Sequence, residues 1–306
     1  MIYTCTMNPA IDLFIMTNDL KKEAVNRTIE QQIIPNGKAV NVSFLLKMLG
    51  VESTALGFSA GFTGRFIEDE LAKKNIKTDF IHIDGTTRIN VFTWVCNENT
   101  EYKLVNPGPE PSSSDIIALL KKIETLNEDD ILCVSGSNPK GVSDDIYIDM
   151  AKLSQKNRFR FVLDSSSPSV RGVMFSKPFL IKPTLEELAA WFGKNEITKD
   201  EGARLAMELV DSGAQHVLLS LGKDGAFYFD AQHRLQANAP SGKVVNTSCA
   251  GDTMVASFLC GLLTNKTMEE TLQFSVAAAS STAFCPGLTD YHDVEHLMRE
   301  VNVKPL

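Results

Sequence analysis

The chain has 306 residues, 43% of them apolar and 22% charged, the composition of an ordinary soluble globular protein with room for a large core. Lys and Arg total 30 against 38 Asp and Glu, a formal net charge of −8. That balance excludes non-specific nucleic-acid binding, so any bound anion needs a local pocket that opposes the global charge.

From the N-terminus, AIDLFI (10–15) and NRTIEQQIIP (26–35) alternate polar and apolar residues as half-exposed strands do. The stretch 38–49 reads as a helix. STALGF (53–58) is a short apolar strand, followed by an amphipathic helix in TGRFIEDELAKKN. RINVFTWVCNENTEYKLV (88–105) alternates again, and its Asn-Glu-Asn reads as the turn of a hairpin. DDILCVSG (129–136), FRFVLDSS (159–166), FLIKP (179–183) and HVLLS (216–220) are apolar strands separated by helical stretches. Continuous apolar strands between helices predict a doubly wound α/β fold with a mostly parallel sheet covered on both faces. The alternating segments, about 10–35 and 88–106, predict a small antiparallel sheet inserted into one domain spanning 1–306. A few strands cannot stand alone, so this sheet must act as a lid, a dimer interface or both.

No signal peptide or membrane-spanning segment is legible, which predicts a cytoplasmic protein without a membrane partner. Cysteines 5, 96, 133, 249, 260 and 285 form no CxxC pair and read as reduced thiols packed like small hydrophobes. His292 and His296 have the i, i+4 spacing of two metal ligands, but the rest of the zinc-peptidase pattern is missing, and they read as a solvated helix face.

The glycine-rich stretches exclude the commonest phosphate loops. Gln32 stands where a Walker loop needs its first glycine before Gly37-Lys38, and Ala39 stands where it needs Ser or Thr. GFSAGFTG (57–64) lacks dinucleotide spacing, which argues against a nicotinamide oxidoreductase. VVNTSCAGDTMVASF (244–258) offers another route: small residues lead into an apolar helix, with Asp252 at its start. Free N–H groups at a helix N-terminus suit a phosphate. Physically, Asp252 is either a helix cap or a base standing beside that anion.

NTSCAGDTMVASF resembles the C-terminal signature of the ribokinase-like (PfkB) sugar kinases, D/N-T-x-G-A-G-D, and PNGKAVNVSFLLKMLG (35–50) resembles their N-terminal G-G-K-G-x-N-V-A. GFTGRFI, TRINV, VSGSNPKG, LDSS, IKPTLEEL and SLGKDGA lie between them in the family's order, so the resemblance covers essentially the whole chain. TRINV and TMNPAID look most like the bacterial 1-phosphofructokinase and tagatose-6-phosphate kinase branch.

The resemblance implies ATP, Mg²⁺ and a sugar phosphate, with a monovalent cation as a family option. It implies that Asp252 takes the proton of the attacking hydroxyl and that the N–H groups of Cys249, Ala250 and Gly251 hold the transferring phosphoryl. Asp12, Gly37, Lys38, Asn41 and Asn90 fall on the sugar side, with Lys38, Arg88 and Arg27 as anchors for the sugar's own phosphate. Lys182, Ser220, Gly222 and Gly225 fall on the nucleotide side. Glu187 would orient a magnesium-bound water while also closing a capping box with Thr184. The reaction implied is phosphorylation of the 6-hydroxyl of fructose 1-phosphate, by a homodimer joined through the lid. The alternatives are phosphorylation of tagatose 6-phosphate at its 1-hydroxyl and a weakened sugar-phosphate sensor on the same fold.

The chain also departs from the pattern. Cys249 replaces a glycine of the anion hole, where an allowed helical conformation is expected and where oxidation of the thiol would impair activity. Thr184 replaces the asparagine of N-x-x-E. Asn36 and Ala39 replace glycines and are expected to crowd the sugar.

Overall fold

A computed structural model describes residues 1–306. In chain order the elements are β1 (Ile2–Thr6), β2 (Ala10–Thr17), β3 (Glu30–Asn36), α1 (Lys38–Met48), β4 (Ser53–Ala60), α2 (Gly61–Lys73), β5 (Lys77–Thr78), β6 (Ile81–Ile83), β7 (Arg88–Val95) and β8 (Thr100–Leu104). Then follow α3 (Ser113–Ile123), β9 (Ile131–Ser135), α4 (Asp145–Asn157), β10 (Arg160–Asp164), β11 (Leu180–Ile181), α5 (Leu185–Trp191), α6 (Lys199–Asp211) and β12 (His216–Ser220). The chain ends with β13 (Ala226–Phe229), β14 (Arg234–Ala237), α7 (Ala250–Leu263), α8 (Met268–Phe284), α9 (Val294–Met298) and β15 (Val303–Pro305).

The large sheet runs β15-β14-β13-β12-β11-β10-β9-β1-β4-β5, with β6 also on β4. Pairing is parallel from β5 to β12 and antiparallel from β12 to β15. Successive side chains of each central strand enter opposite cores. Leu132 and Val134 of β9 and Phe161 and Leu163 of β10 pack with α3, α4, α5 and α6. Ile131, Cys133 and Val162 pack with α1, α7, α8 and α9. Burial on both faces is why these strands read as unbroken apolar runs.

The strand order reverses direction at β1, which leaves a crevice at the C-terminal ends of β1 and β9. Ser135, Asp164, Lys182 and Ser220 end or immediately follow β9, β10, β11 and β12, so the sheet delivers them to that one edge. β11 has only two residues of the five-residue run read from sequence, because Pro183 ends its ladder.

The second sheet is β3-β2-β7-β8. It is mixed, which corrects the all-antiparallel expectation: β3 and β8 pair antiparallel to their neighbours, but β2 and β7 pair parallel. The reason is topological. β2 leaves β1 and β7 follows β6, so both run outward from the same edge of the large sheet, and β3 and β8 return. Asp12 lies opposite Asn90 in the parallel register. The hairpin turn falls at Cys96–Glu98, closed by Asn99 in the left-handed region at φ 49°. Near its base this sheet packs on the body through Ile11 and Ile89, against Val40, Ile67 and Leu71.

All six cysteines are free thiols, three of them buried. His292 precedes α9 rather than lying on it, and both His292 and His296 are exposed beside acidic neighbours. No helix is long and apolar enough to cross a membrane.

Gly57 shows how tightly β1 and β4 are joined. It has φ +130°, and a Cβ there would lie 1.9 Å from the Thr6 carbonyl oxygen. Gly57→Ala should therefore lose on the order of 3 kcal/mol or more in urea unfolding, because the obstacle is backbone and cannot rotate away. A loss below about 1 kcal/mol would mean that β1 and β4 do not meet in this register.

Candidate active site

α7 starts at Ala250 and packs between α8 and α1, which buries it from Asp252 to Gly261. Asp252 is thus an acid forced into the interior, 4% exposed. Its Oδ2 accepts a hydrogen bond from Asn41 Nδ2 at 2.8 Å, while Oδ1 has no partner within the protein. Burial first, then the nearby Asp164 carboxylate, raises its pKa to about 7, against the opposing pull of Asn41, Lys38 and Lys182. A carboxylate tuned to neutrality is suited to accept a proton at physiological pH.

Cys249, which leads into the helix, has φ 66° and ψ −7°. This corrects the expected helical conformation: the residue is left-handed, at a cost of roughly 1–2 kcal/mol for a residue bearing a Cβ. The turn frees the N–H groups of Cys249, Gly251 and Asp252 from any acceptor in the protein, while Ala250 N–H reaches Thr247 O at a long 3.4 Å. Burial and the carboxylates of Asp252 and Asp12 push the Cys249 thiol up, so little of it is the nucleophilic thiolate near neutrality. A Cβ on Gly251 would stand 3.4 Å from Lys182 Nζ, which places that ammonium directly against the helix end.

Asp164, absent from the sequence-based site, is the partner that makes this possible. Lys182 Nζ lies 3.1 Å from its Oδ1 and Lys38 Nζ 3.4 Å from its Oδ2, and Ser135 Oγ donates to Oδ2 at 2.7 Å. Burial would raise Asp164, but the two ammonium groups outweigh it and hold the carboxyl at about 2. Lys182 thus pairs with Oδ1 inside the protein, where both side chains are all but inaccessible. The only sequence sign of Asp164 was one acidic residue closing an apolar strand in LDSS.

A cavity of about 800 Å³ opens from these charges. Lys38, Lys182, Gly251 and Asp252 line one end, and Met254, Val276, Ala279, Ala283 and Phe284 line apolar wall. Glu187, Ser220, Gly222 and Gly225 line the same cavity. Thr184 and Glu187 form the predicted capping box, with Glu187 N donating to Thr184 Oγ1 at 3.1 Å and Thr184 N to Glu187 Oε2 at 2.9 Å. Glu187 Oε1 is left without a partner.

On the small-sheet side, Asn90 Nδ2 donates to Asp12 Oδ1 at 2.8 Å, and Asn36 Nδ2 donates to Asp12 Oδ2. Arg88 donates to the Asn8 and Asn106 carbonyls, and its Nε is a buried donor without a partner, as are the Oδ1 acceptors of Asn8 and Asn138 nearby. Gly37 has φ 144° and a site 2.7 Å from Thr6 Cγ2 where a Cβ would stand, so no side chain fits between β3 and α1. Lys38 faces the cavity beside Lys182, whereas Arg88 lies outside its lining, on the small-sheet side. Arg27 is exposed between β2 and β3, and its side chain bonds to none of these residues. Ala39 is fully buried and lines no part of the cavity, and Asn36 points into a hydrogen-bond network rather than standing free.

Residues 5–293 match the model of the pfkB family carbohydrate kinases. The chain is 45% identical to a D-tagatose-1-phosphate kinase of Bacillus licheniformis and 37% identical to a 1-phosphofructokinase of Bacillus subtilis, each over 100% of both chains. The crystal structure of phosphofructokinase-2 from Escherichia coli in complex with potassium superposes with a TM-score of 0.90 at 29% identity, covering 97% of this chain and 98% of that one. The buried aspartate at a helix start, the paired lysines and the doubly wound sheet thus belong to a chain that is a member of the pfkB family of carbohydrate kinases.

Proposed function

We propose that this protein transfers the γ-phosphoryl group of ATP to the 6-hydroxyl of a ketohexose 1-phosphate, with fructose 1-phosphate giving fructose 1,6-bisphosphate. The observation that carries the reading is Asp252, a base tuned near neutrality whose free oxygen faces the cavity beside unpaired helix N–H groups. D-tagatose 1-phosphate is a second substrate of the same kind. It differs only at C4, keeps the phosphate and the attacking hydroxyl, and is the sugar in the name of the 45% identical relative.

Asp252 Oδ1 accepts the hydroxyl proton as the oxygen attacks phosphorus. The N–H groups of Cys249, Ala250 and Gly251, with Lys182 and Lys38, balance charge on the transferring group. Asp12, Asn41 and Asn90 hold sugar hydroxyls, since each offers more than one directed hydrogen bond. Arg88 anchors the sugar's phosphate, where the orphaned Nε awaits an acceptor. The apolar wall around Phe284 takes the flat base of the nucleotide.

The donor set suits Mg²⁺. Glu187 Oε1 is a cavity-lining oxygen without a hydrogen-bond partner at the charged end, and hard cations take oxygen ligands and retained waters. When bound, the ion supplies positive charge to the phosphates. By likeness to the potassium complex of the 29% identical phosphofructokinase-2, a monovalent cation binds beside the anion hole. There the uncharged turns 245–249 and 283–287 run together, with Val245 and Asn246 N–H on Ala283 O. The small sheet serves as a lid of one kinase domain, and its closure keeps water from the phosphoryl group. Beyond α2 its apolar face runs bare: Ile33 is 52% and Leu104 63% exposed. A second copy of the chain covers it in the homodimer.

ATP turnover with fructose 1-phosphate, tagatose 1-phosphate, tagatose 6-phosphate and fructose 6-phosphate tests the assignment. A 1-phosphate should be preferred, and Asp252→Asn should lower kcat by about 10²–10⁴. Sugar-phosphate binding without turnover would instead leave a sensor. Because the base must be ionised, kcat/KM should rise with pH to a plateau above about 7, falling roughly tenfold per unit below it. Leu104→Asp should turn a sedimenting dimer into a monomer, and a parent that sediments as a monomer would overturn the lid interface.

A further inference from the structure

We infer that Asn36 is a positioning residue that holds the catalytic carboxylate of Asp252 in its reactive state by fixing which way the Asn41 amide faces. The inference rests on the kinase reading above. It arises from an unbroken series of hydrogen bonds between two carboxylates. Asn36 Nδ2 donates to Asp12 Oδ2, and Asn36 Oδ1 accepts from Gly37 N at 2.6 Å and from Asn41 Nδ2 at 2.8 Å. Asn41 Nδ2 spends its other hydrogen on Asp252 Oδ2 at 2.8 Å, with Cys249 Sγ a weaker neighbour at 3.3 Å.

An amide has a donor end and an acceptor end, and only its neighbours decide which end points where. The ends of this series leave no choice. The Asp12 carboxylate only accepts and the Gly37 N–H only donates, so Asn36 must turn Nδ2 to Asp12 and Oδ1 inward. Asn41 must then turn its NH₂ group towards both Asn36 and Asp252. With Asn36 reversed, Asn41 would present its carbonyl oxygen to a carboxylate. Asn36 ends β3 of the lid sheet and immediately precedes Gly37, so it also ties the sugar-binding Asp12 to the base across that junction.

Hydrogen bonds to a carboxylate favour its charged form. The other groups facing Asp252 are Asp164 from β10, Lys38 from α1, Lys182 beyond β11 and the Cys249 thiol. None of them changes on Asn36→Gly, which restores the glycine of the resembled signature in a strand position that tolerates it. Freed from Asn36, the Asn41 amide can rotate, and Asp252 should hold its proton to higher pH.

The first readout is the titration of the Asp252 carboxyl in protein labelled with ¹³C at the aspartate carboxyls, its NMR signal assigned by its loss in Asp252→Asn. The midpoint should move up by about half a unit or more in Asn36→Gly. The second readout is the acid limb of kcat/KM, which should move with it while kcat above pH 8.5 recovers towards the parent value. A purely structural role would lower turnover evenly at all pH values and leave the midpoint in place. Coincident midpoints in parent and variant overturn the inference. A parent without turnover overturns the kinase reading instead, and the carboxyl titration still decides the role of Asn36.

Discussion

The constraint on which this structure turns is the burial of two carboxylates, Asp164 and Asp252, close enough to raise the pKa of one of them. Two ionised acids in a low-dielectric interior repel strongly, and each loses several kcal/mol of hydration. Lys182, itself only 3% exposed, and Lys38 bring the cluster to formal neutrality. The two lysines pair with Asp164 and leave Asp252 short of compensation. The result is one acid held at about 2 and the other at about 7. Their effects on stability have opposite signs. Asp164 gains the fold stability as pH rises from about 2 to its unfolded value of 3.8, because there the unfolded chain binds more protons. Asp252 loses the fold stability as pH rises from 3.8 to about 7, because there the native state holds the extra proton. Above neutrality the protein therefore carries a destabilised charge in its core.

The architecture follows from where these groups must converge. Asp164 and Lys182 come from the ends of adjacent parallel strands, so the ladder that pairs Leu163 with Ile181 sets their spacing. Asp252 comes from α7, which crosses the other face of that sheet and is buried by α8 and α1. Lys38 and Asn41 lie one turn apart at the start of α1 and face Asp164 and Asp252 respectively. The small sheet is attached less firmly, through a few apolar contacts at its base and through the polar series from Asp12 to Asn36.

Much of this could be read from residue patterns, because the large sheet is buried on both faces and unbroken apolar strands between helices admit few other folds. HVLLS and the strand at 131–135 fell where their composition placed them. The pairing within the small sheet could not be read so. Period-two alternation says that a strand has two faces, not which neighbour it takes, and parallel pairing of β2 with β7 depends on both strands leaving one edge of another sheet. The helix start at Asp252 was legible because small residues before an apolar helix are locally unusual, whereas its reading as a base came from the resemblance to the sugar kinases. Asp164 was not, because its meaning lies in Lys38 and Lys182, 126 residues before it and 18 after it in the chain. Asn36 read as an obstacle to the sugar because its sequence context shows only a lost glycine. Its partners Asp12 and Asn41 become visible once β2, β3 and α1 are folded together.

Cys249 carries the same reasoning to its end. A cysteine at φ 66° is disfavoured by roughly 1–2 kcal/mol, and nothing in its own neighbourhood requires a thiol there. The strain persists because the helix that follows is fixed by tertiary packing and cannot relax it. Thr253 binds both the Cys249 carbonyl and Thr282 of α8, so the first turn of α7 is held at its position by the neighbouring helix. Unwinding Cys249 would require moving that turn, and with it the Asp252 carboxylate. The strained turn, the unpaired N–H groups and the raised pKa of Asp252 are therefore one feature seen from three sides: a helix start anchored from behind, with an open end whose free N–H groups suit an anion.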